Sequence, residues 1–227
     1  MAKPPSRRSS SQEVAQFLRT SKAITEVVDR QPRLLFAIDA TASRQPTWDR
    51  ASHLQQEMFR ATSRAASLSV QLCFYRGFND FKASRWLSDS DALARLMGKV
   101  SCEGGHTQIA RLLRHAQTEH RKLPLKALVF IGDAVEENPD TLCDLAGECG
   151  IRRLPLFLFQ EGSDAAVAST FQSMAKLSGG AYARFDSSSA ETLAALLAAV
   201  ASFATGGLKA LEGRRSSTAR RLLEQLK

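Results

Sequence analysis

The chain alternates between unbroken apolar runs and stretches with helical spacing. Leu34–Leu35–Phe36–Ala37–Ile38, Leu68 to Tyr75 (LSVQLCFY), Lys126 to Ile131 (KALVFI) and 155–160 (PLFLFQ) are apolar almost throughout. Strands of that kind suit a sheet covered on both faces, as in parallel sheets flanked by helices. A fifth strand is predicted at 181–185 (AYARF). A short one at 81–86 (FKASRW) lies close enough to the second to form a hairpin after Gly77. Between the strands, apolar residues fall at helical spacing. One helix carries Trp48, Ala51, Leu54, Met58 and Ala65; a short one spans 88–97 with Ser88 as its cap. Another opens at about Thr107 with Ile109, Leu112, Leu113 and Ala116 inward. Helices follow at 139–149, from Val167 to the Gly179–Gly180 stop, and from Leu193 to Phe203. Val14, Phe17, Leu18, Ile24 and Val28 mark a further helix over Gln12–Asp29.

Strand and helix in regular succession predict an α/β fold. The expected form is a doubly wound, mostly parallel sheet of about six strands with flanking helices and an extra N-terminal helix. At 227 residues and 44% hydrophobic, the chain supports one full-sized domain. Its parts read as an N-terminal tail and helix at 1–30, the α/β domain at 31–210 and a basic C-terminal tail at 211–227. The stretch from Leu193 to Phe203 reads as too short and too alanine-rich to span a membrane. Arg7–Arg8 is followed by no apolar segment of the kind an export signal carries. Cys73, Cys102, Cys143 and Cys149 form no CxxC pair. They read as reduced thiols of a cytoplasmic protein, with no zinc site. The net charge is +8, with Arg214, Arg215, Arg220, Arg221 and Lys227 crowding the tail. Such an end reads as solubilising and partly disordered, with help in docking to acidic partners as its other use. Without interleaved aromatics, nucleic acid is not the expected partner. A weaker reading has the tail bind it nonetheless, with a steep salt dependence as its mark.

Ligands of such folds bind beyond the carboxyl ends of the strands, at the point where the topology switches. Three segments put polar groups there: Asp39–Ala40–Thr41–Ala42–Ser43, Gly104–Gly105–His106–Thr107, and Gly132–Asp133. Together they offer two carboxylates and three hydroxyls but no thiol, a hard-oxygen set suited to Mg²⁺ or Mn²⁺. Taken singly, each has a plainer use. Asp39, Thr41 and Ser43 suit a turn, Thr107 an N-cap, and Asp133 a strand end. His106 reads as a surface residue, His115 and His120 as no metal pair, and Glu136 and Glu137 as a solvated helix entrance.

Asp39-x-Thr41-x-Ser43, the GGHT loop and Asp133, taken in order, resemble the metal-ion-dependent adhesion site of von Willebrand factor type A domains of the bacterial stand-alone type. The resemblance covers residues 34 to 205. It departs in having Thr41 where serine is usual, and Ile131–Gly132–Asp133–Ala134 where an aspartate-glycine pair is common. It implies that Thr41 and Ser43 ligate Mg²⁺ or Mn²⁺ through their hydroxyls. Thr107 would do so directly or through water, and Asp39 and Asp133 through water or from outside the first ring of ligands. An aspartate or glutamate of a protein partner would complete the shell, across a rim of Gly105, His106 and Arg44. The output would be adhesion rather than catalysis. The alternative from another class is a Mg²⁺-dependent phosphatase resembling the haloacid dehalogenases, with Asp39 as nucleophile and Lys122 or Lys126 holding phosphate. Against it stand Thr41, where a second aspartate is usual, and the unexplained Gly–Gly–x–Thr loop. No G-x-G-x-x-G or G-x-x-x-x-G-K-[ST] fingerprint points to a nucleotide.

Overall fold

A computed structural model describes Gln12, Gln16 and residues 31–42, 68–185 and 190–226. The chain divides into two compact units, Met1–Gln31 and Pro32–Lys227. In the first, Gln12 and Gln16 are helical; the rest of the helix predicted over 12–29 lies outside the described residues, as does the helix predicted from Trp48 to Ala65.

The second unit is built on one six-stranded sheet, in the order β3-β2-β1-β4-β5-β6. Its strands are β1 (Arg33–Asp39), β2 (Ser69–Arg76), β3 (Asp80–Ala83), β4 (Leu125–Gly132), β5 (Leu156–Glu161) and β6 (Ala181–Phe185). All pairings are parallel except that of β2 with β3, the predicted hairpin. Among the described residues its helices are α1 (Ser90–Met97), α2 (Ile109–Lys122), α3 (Pro139–Ile151), α4 (Ala165–Ser178), α5 (Ala190–Glu212) and α6 (Ser217–Gln225).

Alternation along each strand sorts the core into two layers. Leu34, Phe36 and Ile38 face the side covered by α1, α5 and α6, together with Val129, Ile131 and Phe157. Leu35 and Ala37 face the other side, with Tyr75, Leu128 and Phe130 against α2, α3 and α4. Both faces are therefore buried, which is why the strands read as continuous apolar runs. β1 pairs with β2 on one side and β4 on the other, so the switch of direction falls at its carboxyl end.

Several details differ from the sequence expectations. α1 is capped by Asp89, whose carboxylate accepts from Asp91 and Ala92 amides, and not by Ser88. α5 is longer than predicted. By length and composition residues 191–212 pass for a membrane-crossing helix, with mean hydropathy 1.6. In this fold it is a core helix: Leu193, Leu197 and Val200 are buried, and Gly207, at φ 64°, breaks it. The C-terminal segment is no disordered tail. Arg220 and Arg221 lie on a helix, α6, whose Leu222 and Leu223 join the core beside Leu211 and Ala219. The side chain of Gln225 accepts from the Tyr182 amide at 2.8 Å and donates to the Tyr182 carbonyl at 3.0 Å. It thus satisfies backbone groups of the edge strand β6 that would otherwise invite another strand. Burial of the α6 stripe supplies what the arginines alone conceal. Leu222→Ala is expected to lower stability by about 2–5 kcal/mol in urea unfolding, a loss that a solvated tail would not produce.

Candidate functional site

Asp39 ends β1, directly opposite Tyr75 in the parallel pairing. Alternation turns it to the same face as Leu35 and Ala37, and there its side chain is fully buried. A carboxylate in that position requires partners, because desolvation without them costs several kcal/mol. Two of them are the Thr41 amide, which donates to Oδ1 at 2.8 Å, and the Tyr75 hydroxyl, which donates to Oδ2 at 3.2 Å. The first of these bonds closes an Asx turn and sets the path toward Thr41, which is half-buried. Ser43 and Arg44 lie outside the described residues.

Backbone bonds tie this turn to the glycine loop. The Ala40 amide donates to the Tyr75 carbonyl, and the Ala40 carbonyl accepts from the Glu103 amide, both at 3.0 Å. The loop also lies against the β2–β3 hairpin. The His106 amide donates to the Gly77 carbonyl at 3.2 Å, and a Cβ on Gly105 would run into the Gly77 backbone. Gly105, expected as a rim residue, is thus a packing residue first. His106 is at the rim: its side chain is 64% exposed, its Nδ1 lies 3.4 Å from Glu136 Oε2, and its ring meets that of Phe78 edge-on at 5.3 Å.

Thr107 joins the second loop to the third. Its amide donates to Glu136 Oε2 at 2.7 Å, and its hydroxyl accepts from the Glu136 amide at 3.1 Å. It is not the N-cap of α2. That helix starts at Ile109, and its own N-cap residue, Gln108, makes no side-chain cap bond. The cap comes from across the loop: Glu137 accepts from the Ile109 amide at 2.6 Å and the Ala110 amide at 2.9 Å. A carboxylate at a helix N-terminus satisfies orphan donors and meets the positive end of the helix dipole. Glu136 is exposed and Glu137 half-buried, and the two do more than form a solvated helix entrance: they clasp the GGHT loop to the β4–α3 loop. α3 takes its own cap from Asn138, followed by Pro139.

Asp133 follows β4 directly and is half-buried. It also lines a cleft of about 960 Å³ at the carboxyl ends of β5 and β6, with Glu161, Arg184 and Arg221 on its walls. The Tyr75 phenol collects the electrostatics of the whole edge. Burial raises its pKa most, and the charges of Asp39, Glu137 and Asp133 raise it further. Three carboxylates from two loops thus act on one buried hydroxyl. Among the described residues, no three His, Cys, Asp or Glu side chains form a ready-made metal cage. What meets at Tyr75 is a set of carboxylates, Asp39, Glu137 and Asp133, around one hydroxyl. All four cysteines are free, and none belongs to that set.

The histidines set aside in the sequence have structural partners. His115 Nε2 lies 2.9 Å from Gln71 Oε1, and His120 Nδ1 accepts from the Leu125 amide while its Nε2 lies 3.0 Å from the Arg152 carbonyl. The lysines that a phosphatase would need are misplaced. Lys122 binds Glu119 at 2.6 Å, and Lys126 lies at the amino end of β4. At about 3.3 Å per residue, the length of β1 puts roughly 20 Å between that edge and Asp39. The structure gives the phosphatase alternative no support.

No family model matches the chain, and no curated protein matches it. Solved structures do resemble it. The VWA domain of SpRpn10 shares 12% identity over 72% of this chain and 95% of that one, with TM-score 0.57. A von Willebrand factor type A protein from Catenulispora acidiphila shares 15% over 78% of this chain and 43% of that one, with TM-score 0.63. The vWF domain of the type V pili tip protein Mfa5 from Porphyromonas gingivalis shares 9% over 75% and 94%, with TM-score 0.56. The fold is that of a von Willebrand factor type A domain. At these identities the likeness extends to architecture. The type A fold places the carboxyl ends of β1 and β4, and the loop before α2, at the topological switch.

Two outcomes test this geometry. Glu137→Ala is expected to lower stability by about 1–2 kcal/mol in chemical unfolding, as for loss of a helix cap. The second concerns pH. A phenol whose pKa rises on folding contributes stability below its unfolded value of about 10, and that contribution is lost as pH climbs past it. Tyr75 and Tyr182 are the only tyrosines, and both are raised. Alkaline absorbance titration should therefore show neither ionising at the ordinary pH while the chain is folded. Tyr75→Phe should remove the later of the two phases.

Proposed function

We propose that the chain is a metal-dependent protein-binding module, taking Mg²⁺ or Mn²⁺ at the carboxyl edge of β1 and β4. Thr41, Ser43 and Thr107 would hold the ion through hydroxyls, with Asp39 and Asp133 acting through water or as orienting acceptors. The residues fit such a cation by their chemistry: oxygen donors only, two carboxylates, and a glycine loop whose hydroxyl-bearing Thr107 is held in place by Glu136. A bound ion would supply one thing, an electron-poor position that a partner's aspartate or glutamate can fill.

The observation that carries this reading is the stitching of the three loops. Ala40 binds Tyr75 and Glu103, while Thr107 binds Glu136, so the three motifs form one connected edge rather than three separate turns. Neighbours of the same fold include a pilus-tip domain and a VWA domain of SpRpn10. They favour a binding role over catalysis. The net charge of +8 favours acidic partners.

Calorimetric titration of Mn²⁺ tests the proposal. The wild-type chain should bind, and Thr107→Ala should bind at least about tenfold more weakly, a difference of about 1.4 kcal/mol. Binding that ignores Thr107, or none in a folded sample, would contradict the proposed ligand set.

A further inference from the structure

Four large apolar side chains are exposed among the described residues: Phe78, Ile151, Leu177 and Leu208. Ile151 and Leu177 sit at the ends of α3 and α4, at the amino edge of the sheet. Only Phe78 is aromatic, and it stands at the carboxyl edge, on the hairpin between β2 and β3. The residue is 78% exposed. The hairpin does not need it: the left-handed residue of the turn is Gly77, at φ +56°, and the next positions favour small polar residues.

Phe78 is held rather than loose. Its ring packs edge-on against His106 at 5.3 Å. The His106 amide is bound to Gly77, and its imidazole lies beside Glu136. The hairpin, the glycine loop and the β4–α3 loop therefore present one preformed aromatic shelf, next in sequence to Thr107. Its flank carries both signs: Glu136 lies 3.4 Å from His106, and Arg111 stands at the hairpin tip. Arg111 donates to the Asn79 carbonyl at 2.9 Å and its side-chain oxygen at 3.2 Å, which keeps the guanidinium at the hairpin tip.

We infer that Phe78 and His106 form the apolar anchor of the docking surface. The occupant is an acidic segment of a protein partner that carries a bulky aliphatic or aromatic side chain beside the carboxylate it gives to the metal. This rests on the proposed function and adds the partner's chemistry to it. A rigid exposed aromatic with a charged flank is the composition that concentrates binding energy at interface centres. The positive chain charge and Arg111 suit the acidic half of that segment, and Phe78 suits the apolar half.

The test is selection from a displayed library of short random peptides with one fixed aspartate, against the full chain in Mg²⁺ and in chelator. Enriched peptides should carry an apolar residue within two positions of the aspartate. Synthesised, they should bind Phe78→Ser at least about tenfold more weakly and Phe78→Tyr nearly as well. Because Phe78 is exposed, both variants should melt like the wild type. Mg²⁺-dependent peptides without apolar bias, or equal binding by Phe78→Ser, would overturn the shelf and leave the metal reading standing. Phe78-dependent binding that survives chelator would overturn the metal reading and keep the shelf as a docking surface. No enrichment under either condition would overturn both.

Discussion

Asp39 reaches the end of β1 with no solvent contact, and the carboxyl edge is arranged around that fact. A buried carboxylate must be matched by donors or by positive charge. Here the chain matches it from two directions, with the Thr41 amide turning away from the strand and the Tyr75 hydroxyl rising from β2. The first bond fixes the turn that carries Thr41. The second commits Tyr75 to staying protonated, which the nearby Glu137 and Asp133 reinforce. Three carboxylates thus bear on one buried hydroxyl.

The second constraint is closeness. Gly105 lies so near the Gly77 backbone that no side chain fits, and the glycine loop can take its place only by pressing on the hairpin. From there Thr107 and the pair Glu136 and Glu137 carry the contact to the β4–α3 loop. The acidic pair works twice, capping α2 and fixing the backbone at Thr107. A shift of either loop would disturb both. A cation or partner held at this edge would therefore be coupled to the stability of α2.

Much of the architecture was legible in the sequence because its signals are local. LLFAI, KALVFI and PLFLFQ announce strands buried on both faces, and Gly179–Gly180 marks a helix end with Gly179 at φ 68°. The positions of Asp39 and Asp133 at strand ends were legible for the same reason. What was hidden depends on pairing and tertiary contact. That Tyr75 faces Asp39 follows from the β1–β2 register, which no stretch of either strand encodes. That Glu137 caps a helix 28 residues earlier is a long-range contact carried by no local motif. The C-terminal segment misled through composition: its arginines suggested a solvated tail, while the spacing of Ala219, Leu222 and Leu223 made a buried stripe.

The central claim is that the oxygens of this edge hold a divalent cation. The most direct measurement is anomalous diffraction from crystals grown or soaked with Mn²⁺. The account predicts one strong peak at the carboxyl ends of β1 and β4, within coordination distance of the Thr41 and Thr107 hydroxyls. A peak elsewhere, or an ordered edge with no peak at saturating Mn²⁺, would contradict it.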